Sequence, residues 1–259
     1  PNMTPAKLRE AMKRLGFANT AEVAIGADLC TIDEAHDFLE EVPSKHPFMG
    51  TSCCPAWSVM AKKNFPKFAD CISMTMTPMV LTARLLKQDH PAARICFVGP
   101  CAAKKLEASR RSVRSDVDFV LTFEELRGMF EAKNIDFSQI PDEQAQYEAS
   151  APGVGFAASG GVAKAVEKVI EKLEPDRQVK TVYAEGLREC RQMLRMARTG
   201  KYDGYLLEGM ACPGGCIAGA GTLADPARSA MMLNKYKAQA TMKTAADTPY
   251  KDTLDKLKY

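Results

Sequence analysis

Five cysteines in three short loops are the residues of this sequence best suited to chemistry. Two stand side by side in Thr51-Ser52-Cys53-Cys54-Pro55-Ala56-Trp57. A third lies in Gly99-Pro100-Cys101-Ala102-Ala103-Lys104, and the last two in Glu208-Gly209-Met210-Ala211-Cys212-Pro213-Gly214-Gly215-Cys216. Thiolates are soft ligands, and several of them gathered among Gly and Pro turns suit zinc or an iron-sulfur cluster. A zinc finger would show two closely spaced pairs. Here the pattern is one Cys, one Cys, then Cys-x3-Cys, with Cys53 to spare. Four of these five thiols could ligate a four-iron cluster. Free cysteine is also a common small core residue, and Cys30, Cys71, Cys96 and Cys190 are read that way.

This set of loops resembles the active-site domain of the iron-iron hydrogenases, whose three signature loops carry these residues in this order. The resemblance implies a [4Fe-4S] cluster on Cys54, Cys101, Cys212 and Cys216. It further implies a di-iron unit bearing carbon monoxide, cyanide and a bridging azadithiolate, joined to the cube through Cys216. By the same resemblance Lys104 donates to an iron-bound cyanide, while Met210, Pro100 and Ala102 line the cofactor. Cys53 is the expected proton relay, a thiol titrating near ~8.5. The family's further relay residues fall on Glu34, Asp37 and Ser73. Three departures stand out: Gly99 replaces a common methionine, Asp37 a longer acid, and Gly219-Ala220-Gly221-Thr222-Leu223 the usual ending of the third loop.

The implied activity is reversible formation of dihydrogen from two protons and two electrons. A hydrogen-sensing homologue is one alternative; a hydrogenase-like iron-sulfur assembly or scaffold protein without hydrogen chemistry is another. Outside the five cysteines already placed, no Cys-x2-Cys-x2-Cys run remains for a ferredoxin-like cluster. Electrons are therefore expected from an N-terminal cluster domain, a ferredoxin or an electron-transfer subunit. Maturation proteins would supply the di-iron unit.

With 259 residues, 46% of them hydrophobic, the chain can bury a full core. Its 35 basic and 32 acidic residues give no general reason to expect nucleic acid or an anionic membrane surface. The basic stretch Arg110-Arg111-Ser112-Val113-Arg114 reads as a solvated loop. No run reaches the roughly 20 apolar residues that would cross a bilayer. An odd number of cysteines, nine, without a disulfide-like framework, points to a reducing cytoplasm. The sequence starts at Pro1 rather than Met, consistent with processing or with a piece of a longer polypeptide.

Elements that could hold the loops follow from local signals. Thr4-Pro5 starts a helix that Gly16 stops. The pattern Thr31-Ile32-Asp33-Glu34 reads as a capping box opening a helix that buries Ala35, Phe38, Leu39 and Val42, with Glu34, Asp37 and Glu41 on its other face. Pro55 starts a helix at Cys54, Thr77-Pro78 another through Leu86, and Thr122 caps a fourth. Arg94 to Val98 and Asp118 to Leu121 read as strands, as do Thr181 to Ala184 and Gly204 to Leu207. Ile140 to Gly153 is loop-like. Val154 to Ala158 joins the strand set and leads through Ser159-Gly160-Gly161 to a helix around Val166 to Leu173. A helix spans Leu187 to Ala197, and the end after Thr222 is helical.

Strands alternating with helices imply an α/β fold with mostly parallel sheets flanked by helices. The resemblance makes it two-lobed, with the cofactor between the lobes. One hydrogenase domain over 1–259 is expected. Its first lobe is near 1–100 plus the C-terminal helices and its second near 101–210, without the N-terminal ferredoxin-like part.

Overall fold

The computed structural model describes residues 3–142 and 147–257. In chain order its elements are α1 (Pro5–Leu15), α2 (Ala24–Glu41), β1 (Met49–Gly50), α3 (Pro55–Asn64), α4 (Pro78–Asp89), β2 (Cys96–Val98), α5 (Ala102–Ala108), β3 (Phe119–Leu121), α6 (Phe123–Ala132), α7 (Ala151–Gly155), α8 (Gly161–Leu173), β4 (Lys180–Glu185), α9 (Leu187–Ala197), β5 (Tyr205–Met210), α10 (Pro226–Gln239) and α11 (Leu254–Leu257).

Two parallel sheets result, one in the order β1-β5-β4 and one pairing β2 with β3. Both draw on distant stretches of chain: β1 pairs with β5, and β2, before residue 100, pairs with β3, after it. The alternation of side chains along β5 explains how the larger sheet is covered. Leu206 and Met210 pack with Leu29, Phe38, Val162 and Val166 of α2 and α8. Leu207 packs with Trp57, Met60, Met193 and Leu194 of α3 and α9. Gly209 lies under Trp57, where a Cβ would meet the indole at 2.1 Å. The smaller sheet is covered likewise, by Met79, Val80 and Ala83 of α4 against Phe97 and Val120, and by Met12, Leu126 and Phe130 of α1 and α6 against Val98.

Most helix starts follow their local chemistry. Thr4 accepts from Lys7 N–H ahead of α1, and Thr122 with Glu125 completes a capping box on α6. The expected start of α2 is wrong. The helix begins seven residues earlier, at Ala24, with no side-chain cap, and Thr31 instead donates to the Ala27 carbonyl within it. Burial decides the outcome, since eleven consecutive residues from Ile25 to Ala35 are inside. The Thr31–Glu34 spacing therefore leaves Glu34 free to act as something other than a cap. The stretch read as loop and then strand also differs: Ser150 caps α7, accepting from Gly153 N–H, so Val154 and Gly155 are helical. Part of the expected loop, residues 143–146, lies outside the described residues. No strand was expected at β1, which is only two residues long.

Candidate active site

Each cysteine loop leaves the carboxyl end of a parallel strand, where ligands of such sheets bind. After β1, Thr51 N–H donates to the Leu207 carbonyl at 2.9 Å and the Thr51 carbonyl accepts from the Trp57 indole at 3.0 Å. This fixes the turn that carries Cys53 and Cys54. Cys54 is extended and sits immediately before α3, and Cys101 occupies the same position before α5. Helix N-termini present free N–H groups and a favourable dipole, so both positions suit a thiolate or an anionic cluster.

The third loop joins the other two. Ala211 N–H points at the Cys54 sulfur, 3.5 Å away. Gly221 N–H donates to the Pro100 carbonyl at 3.0 Å, and a Cβ on Gly219 would meet that oxygen at 2.6 Å. The unusual ending of this loop thus seats it against the second. Gly214 and Gly215 have φ of 87° and 85°, a conformation that favours glycine. A Cβ on Gly215 would lie 2.6 Å from Ser159 N. Only glycine lets the loop approach the turn before α8 so closely.

The four candidate sulfurs share one electrostatic environment. Burial pushes the Cys216 thiol up to about 12, with further upward pressure from Cys54, Cys101 and Cys212 and an opposing pull from Lys104. Cys212 is raised by burial first and then by Cys101 and Cys54. Among the described residues, no three His, Cys, Asp or Glu side chains gather tightly enough for a single metal ion. Cys212 and Cys216 each lie within electrostatic reach of Cys54 and Cys101, so the three loops bring the four sulfurs into one neighbourhood. Bound iron would favour the thiolates that burial alone disfavours.

Lys104 is buried on α5. Its ammonium donates to Glu107 Oε2 at 2.7 Å and reaches the Cys53 carbonyl at 3.4 Å, while Glu107 Oε1 accepts from the Thr77 hydroxyl at 2.8 Å. Glu107 was absent from the sequence reading. Its i+3 spacing from Lys104 was the available signal. Met210 is buried at the end of β5, and its carbonyl accepts from Gly186 N–H at 2.8 Å. The space expected of a second-loop methionine is not empty: the Phe97 ring stands 2.7 Å from where a Gly99 Cβ would be. Pro100 meets the third loop, as described above, whereas Ala102 is exposed at the first position of α5.

Glu34 lies inside, accepting from Ser52 N–H at 2.7 Å and from the Ser52 hydroxyl at 3.0 Å. Its other oxygen, Oε2, has no hydrogen-bond partner among the described residues. Burial pushes its carboxyl up to about 7. Cys53 is also buried, its thiol pushed up by burial first, then by the nearby charge of Glu34 and by Cys30. Glu34, Ser52, Cys30 and Cys53 thus occupy one small region. Cys30, expected as core, is fully buried and adjoins it. Asp37 and Ser73 form a second group, linked by a residue the sequence reading missed. Thr75 donates its hydroxyl to Asp37 at 3.0 Å and its N–H to the Ser73 hydroxyl at 3.1 Å.

Comparison with known proteins gives the chain's family and fold. The family described as "Iron only hydrogenase large subunit, C-terminal domain" matches residues 1–220. The periplasmic [Fe] hydrogenase large subunit of Nitratidesulfovibrio vulgaris is 28% identical, over 85% of this chain and 63% of its own length. The NADP-reducing hydrogenase subunit HndD of Solidesulfovibrio fructosivorans is 29% identical, over 83% of this chain and 45% of its own. The chain therefore spans about half to two thirds of these relatives. The cytosolic Fe-S cluster assembly factor narfl of Danio rerio is 27% identical, over 84% of this chain and 66% of its own. Among solved structures, a variant of the [FeFe]-hydrogenase HydA1 from Chlamydomonas reinhardtii shares the fold. Its TM-score is 0.77 at 20% identity, over 98% of this chain and 83% of that one.

Proposed function

The chain belongs to the family formed by the C-terminal domains of iron-only hydrogenase large subunits, and from that premise we propose that it catalyses the reversible reduction of protons to dihydrogen. Cys54, Cys101, Cys212 and Cys216 would hold a [4Fe-4S] cluster, Cys216 bridging it to a di-iron unit with carbon monoxide, cyanide and azadithiolate ligands. When bound, that unit supplies the metal position at which protons and electrons combine. Everything else asked of the site falls to side chains of this chain.

The observation that carries the reading is the buried ammonium of Lys104, held against Glu107 and the Cys53 carbonyl and close enough to Cys216 to oppose part of the rise that burial imposes on its thiol. Burying a cation requires partners, and a compact ammonium is suited to an anionic ligand such as cyanide. A bare cube, the alternative raised by the assembly-factor relatives, uses neither this lysine nor Cys53. Glu34, with a carboxyl near neutrality, can take up or release a proton at Oε2 at physiological pH, while Ser52 orients its other oxygen. Cys53 carries that proton on toward the di-iron unit. Asp37, Thr75 and Ser73 form the outer part of the route. Met210 and Trp57 help keep bulk water from the buried centre.

Electrons would arrive from a ferredoxin, an electron-transfer subunit or an N-terminal cluster domain, and maturation proteins would install the di-iron unit. A reducing cytoplasm is the proposed location, from an odd number of cysteines without a disulfide-like framework. No helix of the described residues is long and apolar enough to cross a membrane. The test is hydrogen evolution from reduced viologen by the chain after co-expression with hydrogenase maturation proteins. Sustained evolution is expected. A chain with a full cube and a di-iron unit that evolves none would contradict the catalytic reading.

A further inference from the structure

The loop carrying Cys212 and Cys216 is held from outside by one acid with no part in the roles above. Glu185 is the last residue of β4, paired in register with Met210, the last residue of β5. Its Oε2 accepts from Gly214 N–H at 2.9 Å, at the middle of the Cys212–Cys216 span. Neighbouring N–H groups are engaged differently: Gly215 N–H turns back to the Cys212 carbonyl, and Ile217 N–H goes to the Ala157 carbonyl. The next residue after the acid, Gly186, has φ 88° and donates to the Met210 carbonyl, so the chain turns sharply as soon as the carboxylate is placed.

We infer that Glu185 is a positioning residue that clamps the Cys212–Cys216 loop and, through its negative charge, lowers the reduction potential of the cluster held there. The inference rests on the cluster assignment proposed above. Two effects act in the same direction. Adding an electron to a cluster beside a fixed negative charge is opposed by Coulomb repulsion, which is weakly screened in a half-buried site. In addition, hydrogen bonds to cluster sulfurs stabilise the reduced state. An N–H committed to a carboxylate is withheld from that use. Glu185 therefore biases the cluster toward passing its electron onward.

The experiment uses the full chain carrying only its reconstituted four-iron cluster, with midpoint potential read by an EPR-monitored titration. Glu185→Gln keeps an acceptor for Gly214 N–H and removes the charge. It should retain iron and sulfide at the parent level and shift the potential in the positive direction. Glu185→Ala removes the acceptor too; it should shift the same way and release iron to a chelator faster than the parent. A merely structural role would change chelator release without moving the potential of the Gln variant. A fully loaded Glu185→Gln chain titrating with the parent would overturn this inference alone. If that variant loads poorly, a parent-like potential in Glu185→Ala would overturn it equally. A parent chain that takes up no iron and sulfide would overturn the cluster assignment, and this inference with it.

Discussion

Replacing Glu34 with Gln should flatten a defined part of the pH dependence of folding. In the folded chain burial lifts this carboxyl from its ordinary 4.5 to about 7. Between those values the native state holds a proton that the unfolded chain has released. Stability therefore falls as pH rises through that window and levels off above it. A difference of about 2.5 pH units, at 1.36 kcal/mol per unit, makes the loss about 3 kcal/mol. Glu34→Gln keeps an oxygen for the Ser52 N–H and hydroxyl and has no proton to lose. Asp28 and Glu208, also raised to about 7 by burial, act in the same direction in both proteins. The parent-minus-variant difference thus isolates Glu34. Urea unfolding of the cluster-free chain, followed by the fluorescence of its single tryptophan, the fully buried Trp57, measures it from pH 5 to 8. The variant should gain on the parent by about 3 kcal/mol as pH rises across the window. Parallel stability curves over that range would refute the buried, near-neutral carboxyl, and with it the role of Glu34 in proton transfer.

Lys104→Ala should destabilise the cluster-free chain by about 3–5 kcal/mol, because it leaves Glu107 charged and buried with only the Thr77 hydroxyl. The double replacement Lys104→Met with Glu107→Leu should recover most of that loss in the same urea assay; equal losses in single and double variants would show the pair is not coupled. The adjacent thiols should separate cleanly. Cys54→Ala should lose the four-iron cluster by iron and sulfide analysis. Cys53→Ala should keep both metal centres and lose about 10²–10⁴-fold of viologen-driven hydrogen evolution, and parent-level turnover would remove Cys53 from the proton route.

What could be read in the sequence was whatever rested on short-range chemistry. Pro55 and Pro78 at first helical positions and Thr122 with Glu125 mark their helices because each signal acts within one turn. The glycines of the third loop were legible for the same reason. The start of α2 was not, since burial rather than a cap sets it, and the Thr31–Glu34 spacing imitates a box. β1 is too short to show any alternation. At the candidate site, type and loop context single out the cysteines, whereas nothing local in the sequence singles out their supports. Thr75 reaches Asp37 across 38 positions, and Glu185 reaches Gly214 across 29. Such contacts exist only once α2 and the parallel strands have been brought together.

Whether the region beside Cys216, Lys104 and Cys53 takes up a di-iron unit separates hydrogen chemistry from an iron-sulfur role alone. Infrared spectroscopy of the chain purified after co-expression with maturation proteins decides it, because metal-bound carbon monoxide and cyanide absorb where polypeptide does not. Both sets of bands are predicted, with the cyanide bands displaced in Lys104→Met as the ammonium beside the ligand is lost. One four-iron cluster per chain with no such bands would contradict the catalytic reading, and would assign the fold to an iron-sulfur role without hydrogen chemistry.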